Sequence, residues 1–130
     1  MNTKYLMIAS AFTMGVFGIS ALFLPQEILT YMQIPLTGFI TMCLQIMGAL
    51  YLGFAMMNWM AKTVLIGGIY SRPLAIGNLF HFTVGSITLL KGVLNQPDLK
   101  YFWILCGPYS IFAICFGIVA FTNPSKNISK

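Results

Sequence analysis

The residues of this chain that could carry chemistry are few, and they lie in or beside long apolar runs. The 130-residue sequence contains one His and one Arg, and its acidic residues are Glu27 and Asp98 alone. Polar side chains at bilayer depth are costly and often mark functional sites. His81 and Asn78 are therefore the centre of the candidate site.

Helical spacing predicts a small polar pocket around His81. At about 1.5 Å rise per residue, His81 lies roughly 10 Å inside the nearer membrane boundary, with Asn78 about one turn shallower. Asn58 falls near the same level on the preceding apolar run, and Arg72 and Tyr70 lie just outside it. Such a pocket would accept a lipid headgroup, a quinone or another small amphiphile.

A structural role for the same residues is the competing interpretation, and it is the one we expect. His81 and Asn78 could bond to each other or to backbone carbonyls and hold helices in register, at an average of about 0.6 kcal/mol per bond in membrane helices. Arg72, just before Pro73, could bind a lipid phosphate at a helix N-terminus. It could equally face water as a topological anchor, which is the role we expect for it.

The sequence argues against several catalytic and metal sites. A zinc site needs three or four ligands, and the chain has a single His. Cys43, Cys106 and Cys115 lack paired spacing and are expected to be buried free thiols that act as small hydrophobic residues. A proton-coupled exporter needs a carboxylate within the membrane, and both acids lie at the ends of apolar runs. We expect no catalytic residue, no metal and no cofactor, with a bound quinone or lipid as the exception.

The elements that carry these residues are predicted to be membrane-spanning helices. Hydrophobic residues make up 58% of the chain and charged residues 7%, with a mean hydropathy of +0.86. In soluble domains about a quarter of residues are charged. A bilayer core about 30 Å thick needs roughly 20 apolar residues per helix. The apolar runs of this length are residues 5–24, 38–60, 74–94 and 101–121.

The fold class that follows is all-α. We predict a single membrane domain over residues 1–130, built as a four-transmembrane-helix bundle with a short interfacial helix at about residues 26–34. Helices in lipid associate through close packing and hydrogen bonds, so small and polar residues indicate contact faces. The predicted packing positions are Gly15, Gly18, Gln45, Gly48, Gly77 and Gly85. We expect the small-residue faces of the second and third spans to pair with each other.

The distribution of charge predicts an orientation. Five of the seven basic residues fall on one side of the predicted spans: Lys4, Lys62, Arg72, Lys126 and Lys130. Lys91 and Lys100 fall on the other side with both acids. By the positive-inside rule, both termini are cytoplasmic. Basic residues scattered in this way do not form a phosphate-binding stripe, so we expect no nucleic-acid partner.

A resemblance is carried by the segments GALYLGFAMMNWMAK and SRPLAIGN-x2-HF. Across residues 44–92 the chain resembles small four-span bacterial membrane proteins grouped as DoxX-like, which share a Gly-rich second helix ending at a basic inner loop. One branch of that group is an accessory membrane subunit associated with quinone-linked sulfur oxidation. The resemblance implies a multi-pass protein of a bacterial inner membrane and favours an accessory-subunit or quinone-related role.

Three functions remain as hypotheses. The first is a non-catalytic membrane protein that acts as a homo-oligomer or as an accessory subunit of a membrane complex, surrounded by membrane lipids. The second is binding or transport of a lipid-like molecule or quinone in an inner-leaflet pocket around His81. The third is a membrane enzyme that uses His81.

Overall fold

The computed structural model describes residues 3–64 and 71–121 of the chain. These residues are 91% helical and contain no strand. The helices are α1 (Thr3–Phe23), α2 (Pro25–Tyr31), α3 (Gly38–Met60), α4 (Arg72–Asn95) and α5 (Trp103–Phe121), with short 3-10 helices at Ala61–Thr63 and Pro97–Phe102. The all-α class is therefore confirmed.

Among the described residues, four helical segments are long and apolar enough to cross a membrane. They are Thr3–Phe23, Gly38–Thr63, Arg72–Asn95 and Pro97–Phe121. Each matches one of the predicted apolar runs to within a few residues at either end. The chain is thus a multi-pass membrane protein by the length and composition of its helices.

The short helix α2 ends earlier than the predicted 26–34 because Gln33 adopts a left-handed backbone conformation, with φ of 57°. The Ile34 N–H donates to the Leu29 carbonyl at 2.9 Å, and the Gln33 N–H donates to the Thr30 carbonyl at 3.0 Å. This pair of bonds is the Schellman motif, which closes a helix at a left-handed residue that is usually Gly. The helix therefore ends at Tyr31.

The chain contains two compact units. The first, Lys4–Thr63, contains α1, α2 and α3. The second follows Thr63 and contains α4 and α5, which are connected by the 3-10 helix Pro97–Phe102.

In the first unit, α1 and α3 meet backbone to backbone at Gly18 and Gly48. A Cβ on Gly18 would lie 2.9 Å from the Gly48 carbonyl oxygen, and a Cβ on Gly48 would lie 2.9 Å from the Gly18 carbonyl oxygen. Neither residue can carry a methyl group unless the helices separate, because the obstructing atoms belong to backbone. Close approach of this kind is how helices gain dispersion and Cα–H···O contacts in lipid.

The remaining contacts of Gly48 also come from α1. Its Cβ would meet the Leu22 nitrogen at 2.9 Å and the Ala21 Cβ at 3.1 Å. The prediction that this face of α3 would pair with the third span is therefore wrong for Gly48. Gly15 is less crowded, since its Cβ would lie in ordinary contact with the Ala55 Cβ at 3.8 Å.

In the second unit, α4 and α5 pack around the fully buried ring of Phe82. The Phe82 centroid lies 4.9 Å from that of Phe112 and 5.6 Å from that of Phe116, in tilted and stacked arrangements. The Tyr109 ring lies directly over Gly85, where a Cβ would come within 2.5 Å of Tyr109 Cε1. Gly85 thus makes room for a buried aromatic ring from the neighbouring helix.

These two contacts predict which glycines the fold requires. Gly48→Ala and Gly85→Ala should each lower the free energy of unfolding by about 1–3 kcal/mol, because the added methyl overpacks a contact that cannot relax. The matched controls are Gly53→Ala and Gly77→Ala on the same two helices, where a Cβ has no atom within 4 Å. The controls should leave stability unchanged or raise it by up to about 1 kcal/mol, since Ala favours helix.

Reversible unfolding by SDS in mixed micelles measures all four variants. Equal losses at crowded and open glycines would contradict the packing described for both units.

Candidate functional site

Helix α4 positions three of the predicted site residues along its first three turns. The carbonyl of Ser71, the residue before the helix, accepts the Ala75 N–H at 3.1 Å and so begins the helix at Arg72. Pro73 is tolerated there because the first turn has no intrahelical use for its missing N–H. Arg72 is exposed. Arg72 therefore lies at the exposed first turn of α4 and not among the buried residues of that helix.

Asn78 is fully buried one and a half turns further on. Its side-chain Nδ2 donates to the Leu74 carbonyl at 3.0 Å, one turn back on the same helix. A bond of this kind satisfies an amide donor where water is absent. The buried amide of Asn78 is thus satisfied by a backbone carbonyl of its own helix.

His81 joins α4 to α5. Its Nε2 lies 3.1 Å from the hydroxyl oxygen of Tyr109, and the imidazole tautomer decides which group donates. The two ring centroids are 5.5 Å apart, and Phe82 contacts both rings at 5.1 and 5.3 Å. The imidazole is half-buried, whereas Tyr109 is buried. The partner of the only His is therefore an aromatic hydroxyl on the neighbouring helix.

A second polar pair joins the same helices, five residues after His81 on α4 and directly after Tyr109 on α5. The hydroxyl oxygens of Ser86 and Ser110 lie 2.8 Å apart, and either can donate. With the His81–Tyr109 pair, this contact fixes the register of α4 against α5 at two levels.

Tyr109 was not among the residues singled out from the sequence. A signal for it exists, because a tyrosine in the middle of an apolar span must find a partner for its hydroxyl. The spacing of Tyr109, Phe112 and Phe116 also places three aromatic rings on one helical face. Neither signal identifies His81 as the partner.

Asn58 belongs to the first unit, where its partners lie on α1. Its Nδ2 donates to the Ser10 hydroxyl oxygen at 3.1 Å and approaches the Met14 sulfur at 3.8 Å. Ser10 in turn donates to the Met7 carbonyl at 3.1 Å. Asn58 and Ser10 are both fully buried. The result is a short hydrogen-bonded chain from α3 into the backbone of α1, and Ser10 is a residue that sequence reasoning missed.

Gln45 makes a weaker contact of the same type. Its Nε2 donates to the Leu22 carbonyl of α1 at 3.4 Å. Tyr70, the remaining residue of the predicted pocket, lies outside the described residues. The pocket that would combine Asn58 with Arg72, Asn78 and His81 stays a prediction.

The chemistry available to these side chains is hydrogen bonding. No buried side-chain nitrogen or oxygen within residues 3–64 and 71–121 lacks a hydrogen-bond partner. In the same residues no group of three His, Cys, Asp or Glu side chains is placed to hold a metal ion. Cys43, Cys106 and Cys115 are free thiols, as expected, but the expectation that all three are buried is wrong for Cys43, which is exposed.

Comparison with known proteins adds no relative. No family model matches the chain, and neither a curated protein nor a solved structure is similar to it. The resemblance to DoxX-like proteins stays a prediction.

The His81–Tyr109 contact predicts a coupling between two substitutions. Tyr109→Phe removes only the hydroxyl, whereas His81→Leu removes its partner together with the imidazole contacts with the Phe82 and Tyr109 rings. Because both substitutions remove the same hydrogen bond, the double variant should be more stable than the sum of the two losses implies. We expect a coupling of about 0.6 kcal/mol, with about 1.7 kcal/mol as an upper bound for membrane helices. The SDS unfolding experiment described for the glycines measures it.

The matched control combines His81→Leu with Tyr101→Phe. That variant removes another tyrosine hydroxyl from the second unit, eight residues before Tyr109, in the 3-10 helix Pro97–Phe102. We expect its effect to be additive with that of His81→Leu, because substitutions at distant sites couple weakly. A coupling as large with Tyr101 as with Tyr109 would contradict the assignment.

Proposed function

We propose that the protein has a non-catalytic role in a bacterial inner membrane, in which its helices assemble with a second copy of the chain or with the subunits of a larger membrane complex. The observation that supports this proposal is the use of polar side chains within the described spans. Asn58, Asn78 and His81 all form hydrogen bonds inside the protein. The bonds of Asn58 and His81 join neighbouring helices, and the bond of Asn78 lies within α4, so all three side chains have a structural use that requires no substrate.

The exposed side of α3 supports assembly. Ala49 and Gly53 are exposed and lie four residues apart, with the side chains of Ile46 and Met56 on the same helical face. Ile46 and Met56 are 57% and 60% exposed. Pairs of small residues at this spacing let a second helix approach closely in lipid, and Met adapts its shape to different partners. We call Ile46, Ala49, Gly53 and Met56 the α3 face.

The DoxX-like resemblance of residues 44–92 is in keeping with the same proposal, because one branch of that group is an accessory subunit. The half-buried imidazole of His81 favours the alternative, binding or transport of a lipid-like molecule or quinone. Loss of a retained small molecule in His81→Leu, with assembly intact, would select that alternative.

Assembly is tested by mass spectrometry of the mildly solubilised protein. The wild-type chain of 14.4 kDa should appear in a complex with itself or with other subunits. Gly53→Leu should remove the complex, because the larger side chain prevents close approach at the α3 face. The matched control is Gly107→Leu on α5, an exposed glycine whose Cβ would also meet no atom within 4 Å.

The control should leave the complex intact. A monomer without partners in the wild type, or equal disruption by both substitutions, would contradict the proposal.

The same proposal includes an orientation in which both termini face the cytoplasm. Lys62, after the end of α3, lies with its Nζ 3.3 Å from the centroid of the Trp59 ring. A lysine held on a tryptophan is a strong boundary anchor, since both residues favour the interface. Together with the excess of basic residues on this side, it supports a cytoplasmic end for α3.

Orientation is tested by labelling intact cells with a membrane-impermeant maleimide. The three native cysteines are first replaced by alanine, and one cysteine is introduced at Thr63 or at Asn95, which are both exposed. We expect Asn95→Cys to be labelled and Thr63→Cys to be labelled only after the cells are permeabilised. The reverse pattern would contradict the orientation.

A further inference from the structure

The first unit contains an open cleft. Of the site residues predicted from the sequence, only Gln45 lines it. Its volume is about 400 Å³. It lies between the first turn of α2, the connection from α2 to α3 and the first two turns of α3. The side chains that matter for its chemistry are Gln26, Leu36, Thr37, Thr41, Met42 and Gln45.

The polar part of the lining is uncharged. Gln26, Thr37, Thr41 and Gln45 supply two amides and two hydroxyls, and within residues 3–64 and 71–121 no Lys, Arg, Asp or Glu lines the cleft. An amide offers two N–H donors and a carbonyl acceptor, and a hydroxyl both donates and accepts. The known bonds use a small part of this capacity. Thr37 Oγ1 accepts the Ile40 N–H at 3.2 Å, and Gln45 donates once, to Leu22.

The cleft lies at one end of a candidate membrane span. It begins beside Thr37, which precedes α3, and reaches Gln45, roughly 12 Å along the helix at about 1.5 Å per residue. The cleft therefore extends from the end of a membrane span into its apolar part. Leu36 and Met42, which border it, are 58% and 60% exposed. An apolar chain lying against these two side chains would remain in contact with the surrounding lipid.

The uncharged lining of the cleft favours an uncharged lipid headgroup over a charged one. A phosphate or carboxylate in the cleft would have no cationic side chain in the lining, and Glu27 follows directly after Gln26. An ammonium headgroup would have no lining carboxylate. Desolvating an unpaired charge is far more costly than desolvating a hydroxyl that finds hydrogen bonds. The volume lies within the range of about 300–1,000 Å³ that is usual for small-molecule sites.

We propose that this cleft binds the uncharged, hydroxyl-bearing headgroup of a membrane lipid with one or two acyl chains, of the glyceride type. Thr41 and Gln45 hydrogen-bond the hydroxyl and ester oxygens, while an acyl chain lies along Met42 and Leu36. The proposal is independent of assembly through the α3 face and of any ligand at His81.

The test uses a photoactivatable monoacylglycerol in vesicles that contain the full-length protein, with the labelled residues located by mass spectrometry. Labelling should saturate and fall within residues 26–45. Unlabelled monooleoylglycerol should compete, whereas oleate and monooleoyl lysophosphatidate should compete at least tenfold more weakly. Equal competition by the charged lipids would overturn the proposal, as would labelling that does not saturate and spreads along the helices.

Two kinds of variant locate the contact. Thr41→Val with Gln45→Met removes two hydrogen bonds at nearly constant volume and should weaken binding about tenfold. Gly38→Leu should block the cleft, because Gly38 lines it and a Cβ there meets no atom within 4 Å. If loss of the Gln45 contact with α1 prevents the double variant from folding, Gly38→Leu by itself tests binding in the cleft.

The matched controls are Thr88→Val and Gly107→Leu, which alter exposed residues of the second unit. Neither should change the labelling of residues 26–45. Unchanged labelling in the folded cleft variants, or equal loss in the controls, would overturn the assignment of this site.

Discussion

The structure depends on one constraint, which is that a polar group placed in hydrocarbon must find its partner within the protein. Water is absent from the bilayer core, and an unsatisfied group there costs several kcal/mol. Apart from the bond that Pro108 cannot donate within α5, the helices satisfy their own backbones, so the constraint falls on the side chains. Asn58 meets it through Ser10 on α1, and His81 meets it through Tyr109 on α5. Each bond joins two helices of one unit.

Such bonds require a short distance between the helices, and the glycines allow the helices to approach to that distance. Gly18 and Gly48 bring α1 and α3 into backbone contact in the unit where Asn58 reaches Ser10. Gly85 accommodates the Tyr109 ring in the unit where that ring's hydroxyl reaches His81. The small residues and the polar residues therefore act together in each unit. The glycines set the distance between the helices, and the polar side chains form hydrogen bonds across that distance.

The cleft beside α2 differs from these contacts because its polar groups surround space. Thr41 and Gln45 face an open volume at the end of a span, while Asn58 and Asn78 are enclosed. Side chains that can still hydrogen-bond, next to apolar side chains that remain exposed, are suited to an amphiphile. The same constraint that gives His81 a partner within the protein leaves the cleft as the place where we propose a ligand.

The sequence by itself determined the class of the protein and the extent of its spans. Hydropathy and helix length are local properties, so the predicted runs and the observed helices agree to within a few residues. It also identified Gly18 and Gly48 as packing positions and Asn58 and His81 as polar residues within the apolar runs. It did not determine their partners: Ser10 and Tyr109 lie 48 and 28 residues away from Asn58 and His81. Only the tertiary structure decided those pairs and placed Gly48 against α1, because helices in lipid are matched by surface shape and by hydrogen-bond geometry, which no local pattern contains.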